Sequence, residues 1–265
     1  MIQVAVVVPT IFARPAYLST AISSILSQQG NFEVKVIIGC PADKVAAVKR
    51  AYGAECEVIP ESPEGGLAHK LDALLKATPE SAKYITWLGD DDLLLPGSLP
   101  STIAAMEADD SCSLAFGGCD YIDAESAVLT TNKNGQWASS ILRFGPQLIP
   151  QPGSLFRRTD YMKTGGLDDY FGLAFDFDLF LKLKELGRLK HLNTTLAQFR
   201  WHPNSLSVRK RLKSALEASR VRKKHYRGLS RWLWPLWEPL VVFATWAAGK
   251  LLNFQISLTK TKAAD

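Results

Sequence analysis

Residues 3–9 form an unbroken Val-rich run closed by Pro9, the pattern of a strand buried on both faces of a parallel sheet. Over 15–29 the apolar residues Leu18, Ile22, Ile25 and Leu26 recur at helical spacing. Pro15 stands near the start, where its missing N–H costs no hydrogen bond. A β-branched run at 33–39 predicts a second strand, 42–52 a helix and 55–59 a short strand. Residues 66–77 place Leu67, Leu71, Leu74 and Leu75 on one helical face. Residues 83–88 then read as a strand that runs straight into Gly89, Asp90, Asp91 and Asp92. Strand and helix alternate over the first hundred residues, which predicts a doubly wound, mainly parallel sheet flanked by helices. Ligands of such sheets sit beyond the carboxyl ends of the strands, where the three aspartates fall.

The second half alternates less regularly. Helices are expected over 96–107 and 176–187, and short strands over 113–117 and 119–123. Residues 124–140 are polar and read as loop, and 196–201 are strand-like. A basic helix is expected over 207–227, with Val208, Leu212 and Leu216 as its sparse apolar side. No internal repeat is visible.

Hydrophobic residues make up 47% and charged residues 22%, which excludes disordered, collagen-like and coiled-coil chains. Cys40, Cys56, Cys112 and Cys119 form no CxxC pair and are too few for a disulfide scaffold or zinc ribbon. Cys40 reads as a small buried hydrophobe. The first residues carry neither a basic segment nor a cleavage site, so a cytoplasmic setting is expected. Charge is uneven. Residues 208–231 hold ten Lys or Arg against one Glu, a local +9 that leaves −4 on the rest of a chain whose total is +5. Such asymmetry points to an anionic partner surface.

Adjacent carboxylates repel, so folding gives no reason to cluster three of them. A hard divalent cation does, since Mg²⁺ and Mn²⁺ take oxygen ligands from carboxylates and substrate phosphates. The alternative is a solvated acidic loop, but the strand before and Leu93-Leu-Leu-Pro-Gly-Ser-Leu99 after make this loop short and buried at its edges.

Six stretches in order resemble inverting, GT-A-fold glycosyltransferases of family 2. They are Val6-Val-Val-Pro-Thr10 with Arg14-Pro15; Gly66-Leu-Ala-His-Lys-Leu-Asp72; Trp87-Leu-Gly-Asp-Asp-Asp92 with Pro96-Gly-Ser-Leu99; Gln151-Pro-Gly-Ser-Leu-Phe-Arg-Arg158; Gly165-Gly-Leu-Asp168 with Phe175-Asp-Phe-Asp-Leu179; and Phe199-Arg-Trp-His202 with Ser205 and Ser207. The resemblance implies a GT-A (Rossmann-like) mixed, mainly parallel sheet as a catalytic domain over 1–207, with a helical tail over 208–265. It implies a nucleotide-sugar donor and a glycan or lipid-linked glycan acceptor. Asp90 and Asp92 would bind a divalent cation, Mn²⁺ or Mg²⁺, with His202 approaching the metal or diphosphate. Asp91 would substitute for or orient its neighbours. Asp176 would be the base that takes the acceptor proton, with Asp178 turned about 200° away on the helix. An alternative for Asp176 is a first-turn acid favoured by the helix dipole. Thr10, Arg14 and Asp72 would contact the nucleotide, and Arg157 or Arg158 the diphosphate or acceptor. The chain departs from the family at Gly39 and Cys40, where an aspartate usually meets the nucleoside, with Asp43 nearby but displaced. It departs again at Phe175, where a glutamate is usual and a more apolar acceptor pocket is implied. The base stays unassigned.

Beyond the basic helix, four of the seven tryptophans fall within 232–246. The longest uncharged run, 239–249, has 11 residues, well short of the ~20 that cross a bilayer. Tryptophan beside basic charge favours a helix lying in an anionic membrane interface over 208–252, peripheral at the cytoplasmic face. The alternative is a helix pair packed on the catalytic domain or a partner subunit. No nucleic-acid motif accompanies the charge. Two rival functions are a sugar-phosphate nucleotidyltransferase, disfavoured because residues 9–14 lack glycine, and a non-catalytic membrane-associated scaffold.

Overall fold

The computed structural model describes residues 1–132, 134–201 and 211–264. Strands β1 (Ile2–Pro9), β2 (Phe32–Cys40), β3 (Glu57–Pro60) and β4 (Tyr84–Trp87) form the parallel half of a nine-stranded sheet. Helices α1 (Pro15–Leu26), α2 (Val45–Tyr52) and α3 (Leu67–Lys76) connect them. β5 (Leu93–Leu94), α4 (Ser98–Glu107), β6 (Cys112–Ile122), β7 (Val128–Asn132), α5 (Trp137–Ile141), β8 (Leu155–Arg157), α6 (Arg158–Lys163), α7 (Phe175–Leu186) and β9 (Arg188–Arg200) follow. The spatial order is β3-β2-β1-β4-β8-β6-β9-β5, with β7 paired on β6. β8 runs antiparallel between β4 and β6, which makes the sheet mixed.

The Val-rich run of β1 feeds both layers of the core. Ala5 and Val7 pack with Leu71, Leu74, Trp87, Phe177 and Phe180 on one face. Val4, Val6 and Val8 pack with Leu18, Ile22, Ile38 and Ile103 on the other. This is the period-two alternation of a strand covered on both sides.

Two expected features differ. Residues 112–122 are one strand rather than two. The glycines that suggest a break serve close approach: a Cβ on Gly117 would lie 2.5 Å from the Thr194 carbonyl oxygen of β9. The polar stretch 124–140 contains β7 and α5, whose half-exposed residues carry no apolar run to announce them.

The C-terminal helices are α8 (Arg211–His225), α9 (Ser230–Leu233), a 3₁₀ turn (Trp234–Leu236) and α10 (Glu238–Ala264). α8 packs on the body, as the alternative of a helix pair on the catalytic domain supposes. Ala218 and Val221 lie in the same core as α7. Arg222, fully buried, forks onto Glu238 and donates to the Gly145 carbonyl at 3.1 Å. The expected boundary at 207/208, and with it Ser205 and Ser207, lies outside the described residues. Among those described, no helix is long and apolar enough to cross a membrane. All four cysteines are free and buried. Burial pushes every one of their thiols up, Cys56 to about 11.

Candidate active site

The carboxyl ends of β1, β2 and β4 converge as the alternation predicts. Thr10, just past β1, donates its backbone N–H to the Gly39 carbonyl at 2.8 Å and its hydroxyl to Asp90 Oδ2 at 2.6 Å. Its hydroxyl oxygen also accepts the Phe12 N–H at 2.9 Å. Phe12 has φ +56°, a left-handed conformation costly for a bulky residue and found where a site constrains the chain. The turn aims Arg14 at the acidic loop. One guanidinium nitrogen of Arg14 lies 2.8 Å from Asp91 Oδ2 and 3.5 Å from Asp90 Oδ1. Two neighbouring carboxylates therefore converge on one cationic group. Burial, with Asp91 beside it, pushes the Asp90 carboxyl up, while the Thr10 hydroxyl and Arg14 oppose the shift.

Asp92, the other expected metal ligand, is set apart from Asp90 and Asp91. Its side chain is turned inward and only 5% exposed, and Oδ1 accepts the Arg200 N–H at 3.1 Å. Burial first, and then Asp91, pushes its carboxyl up to about 8. It ties the acidic loop to the end of β9. Arg200 completes that tie by donating to the Asp91 carbonyl at 3.1 Å and stacking over Tyr17 at 4.4 Å. The open pair is thus Asp90 and Asp91. The chemistry fits a hard cation, since both side chains offer only oxygen and a positive group already bridges them. Among the described residues no group of three His, Cys, Asp or Glu is arranged to hold a metal ion. His202 lies outside the described residues.

Asp176 sits in the first turn of α7. The preceding Phe175 is buried, its ring 6.2 Å from that of Trp87 at the end of β4. Phe175 thus packs in the core, where the sequence suggested a more apolar acceptor pocket. Asp176 Oδ2 accepts the Gln147 side-chain amide at 2.7 Å, and Oδ1 accepts the Phe177 N–H at 2.8 Å. Burial pushes its carboxyl up despite both donors. Asp178 is a different group. Fully buried, it accepts Lys224 and His225 at 2.8 Å each and pairs with Lys182 at 2.8 Å. Burial works against its ionisation, but these donors hold it well below the usual carboxylate range.

Asp72 and Arg157 are placed elsewhere than expected. Asp72 Oδ1 accepts the Tyr161 hydroxyl at 2.6 Å and the Leu167 N–H at 2.9 Å, while Oδ2 takes Lys76 at 2.6 Å. It anchors the Gly165–Gly166 turn, both glycines of which have left-handed φ. Asp72→Ala strands a hydroxyl and an N–H, and an unmade hydrogen bond costs about 1–3 kcal/mol per group. The urea midpoint is expected to fall accordingly at constant m, with nucleotide affinity unchanged. The reverse pattern would restore Asp72 to the nucleotide site. Arg157 pairs in register with Tyr84, at the amino end of β4 and so at the opposite edge of the sheet from the aspartates. It donates to the Cys112 and Met106 carbonyls at 3.3 and 3.4 Å. Arg158 likewise binds Thr78. Neither faces a diphosphate at the acidic loop. The sequence reading missed Gln147 and Arg200. An amide in a loop carries no pattern, and Arg200 was visible only as part of Phe199-Arg-Trp-His202.

The model of the family described as Glycosyl transferase family 2 matches residues 5–171. The chain is 24% identical over 199 residues to a hyaluronan synthase of Pasteurella multocida, covering 73% of this chain and 20% of that protein. It thus spans about a fifth of that relative. Among solved structures, a mannosyltransferase from Pyrobaculum calidifontis, in complex with GDP-Man and Mn²⁺, superposes with a TM-score of 0.64 at 15% identity. The match covers 98% of this chain and 74% of that one. S. aureus TarS 1–349 in complex with UDP-GlcNAc gives a TM-score of 0.58 at 14% identity, covering 84% and 71%. At such identities the likeness is one of fold.

Proposed function

The chain belongs to glycosyltransferase family 2 and has the GT-A fold, and from that premise we propose that it is an inverting, metal-dependent glycosyltransferase. It moves a sugar from a nucleotide-sugar donor to a hydroxyl of a glycan or lipid-linked glycan precursor. The observation that carries this is the convergence of Asp90 and Asp91 on one positive group, at the sheet edge where Asp176 also stands.

Asp90 and Asp91 would hold the cation, and Thr10 orients Asp90. When bound, a divalent ion, Mn²⁺ or Mg²⁺, would neutralise charge on a diphosphate leaving group. Arg14 stands beside that charge as a second cationic group. Asp176 takes the proton of the acceptor hydroxyl, and Gln147 fixes the carboxylate that receives it. His202 remains the expected third ligand. The acceptor belongs to the cytoplasmic membrane face, which the tail reaches. The competing reading is a non-catalytic scaffold on the same fold.

A thermal-shift panel of UDP, GDP, CDP, dTDP and ADP, each with and without Mn²⁺, separates the two. A manganese-dependent rise is expected with one nucleotide, lost in Asp91→Asn and kept in Asp92→Asn. No rise with any of them, on folded protein, supports the scaffold. Equal loss in both variants would return Asp92 to the ligand set.

A further inference from the structure

The C-terminal helices sort their residues by side in a way that neither burial against the body nor solubility requires. Leu229, Trp232, Leu236, Leu240 and Phe243 follow one another at intervals of three or four, from the start of α9 through the 3₁₀ turn into the first turns of α10. All five are outside: Trp232 is 82% exposed, Leu236 74% and Phe243 63%. The neighbouring Trp237 instead turns inward, donating its indole N–H to the Tyr226 hydroxyl at 3.2 Å and packing on Phe144. Single exposed apolar residues are ordinary, but several large ones gathered on one short segment mark an interaction surface.

Charge is sorted as well. Among residues 211–251 the only acids are Glu217 and Glu238, 4% and 2% exposed. Glu217 is spent on the Leu173 N–H at 2.7 Å, and Glu238 on Arg222 and Tyr226. The exposed charges of this segment are all positive, among them Arg220, Lys223, Arg231 and Lys250. Arg231 immediately precedes Trp232 in the chain. Lys223 and Lys250 lie over the rings of Trp234 and Trp246 at 4.7 and 5.6 Å.

We infer that the row Leu229–Phe243 with its flanking cations is a docking surface for the headgroup region of an anionic lipid bilayer, with the protein lying on the membrane. The inference names the surface behind the membrane placement proposed above, and rests on that reading only for the acceptor's location. Large apolar side chains flanked by exposed cations match that interface, which presents apolar depth beneath negative charge. A second copy of the chain would bring like charges together across a two-fold. A nucleic acid would leave the apolar row uncovered.

The test is co-sedimentation of the full chain with vesicles of phosphatidylcholine alone or with about one-third phosphatidylglycerol, the anionic lipid that draws a basic segment. Binding is expected to be at least roughly tenfold stronger to the anionic vesicles and to weaken with salt. Trp232→Ser with Leu236→Ser is expected to lower partitioning about tenfold, because each removes buried apolar area from the bilayer. Both side chains are exposed, so Tm should stay within a degree or two, as for ordinary surface changes. Arg231→Glu should weaken anionic binding without touching neutral vesicles. Absence of binding to either vesicle, or binding indifferent to the double variant, overturns the inference. So does a dimer in sedimentation velocity that the double variant dissolves. The nucleotide panel is read without lipid, so a failed docking surface and a failed catalytic reading give separate results.

Discussion

Asp176→Asn is expected to lower turnover by about a hundred- to ten-thousand-fold, the range that a positioned general base supplies. The folded state and the affinity for donor nucleotide should survive. Asparagine keeps the shape: its amide oxygen can accept the Phe177 N–H, and its NH2 can donate to Gln147 once that side-chain amide turns over, but it cannot take a proton. The pH dependence adds a second readout. Burial raises the folded pKa of Asp176 above its unfolded value. The acid limb of kcat/KM should therefore lie above the ordinary aspartate value of about 3.9, with activity rising as the group ionises. The same shift fixes the stability trend. A group with a raised folded pKa stabilises the fold most at low pH, and that contribution is lost as pH rises through the folded pKa. At neutral pH the Asn variant should thus be no less stable than the parent. Turnover within a few-fold of the parent, on protein that binds nucleotide, would remove Asp176 from the chemistry and leave it a first-turn helix acid.

Arg222→Met is expected to produce the largest loss of stability. Arg222 is fully buried and its fork is filled by Glu238, which also accepts the Tyr226 hydroxyl at 2.9 Å. Removing one partner leaves an uncompensated buried charge, at a cost of about 3–5 kcal/mol. With roughly 2–4 °C per kcal/mol for chains near this size, Tm should fall by about 6–20 °C. Pairing it with Glu238→Leu should recover part of the loss, because the stranded carboxylate goes too. A Tm that barely moves would mean that the C-terminal helices ride on the body without bearing on its stability. The contacts argue otherwise. Glu217 holds the Leu173 N–H just ahead of α7, and Lys224 and His225 hold Asp178 within it. α8 is thus a positioning element for the helix that carries Asp176.

The parallel half of the fold was legible because its signals are local. Buried parallel strands read as continuous apolar runs, and their carboxyl ends mark where a site must be. That placed Asp90 and Asp91 at such an end; Thr10 and Arg14 were named there by the resemblance alone, and the family match set aside the nucleotidyltransferase alternative. What the sequence could not show depended on partners distant in it. Arg157 looks like a phosphate ligand until β8 is seen to return antiparallel to β4, which carries it to the far edge. Asp92 belongs to the same triplet as Asp91, yet a backbone N–H from residue 200 turns it inward. Arg222 stands in a basic run that pattern alone assigns to a solvated face. Glu238, sixteen residues later, and the Gly145 carbonyl account for its burial.

The four cysteines described in the core have a consequence for reactivity. Their thiols are buried and their thiolates disfavoured, so the folded chain presents no ready thiol to a thiol-directed reagent. Small packing groups by origin, they leave the surface without a thiol. A single cysteine introduced at position 232 would stand alone as a handle for a spectroscopic label. Its environment could be followed from water into lipid with none of the native residues contributing to the signal.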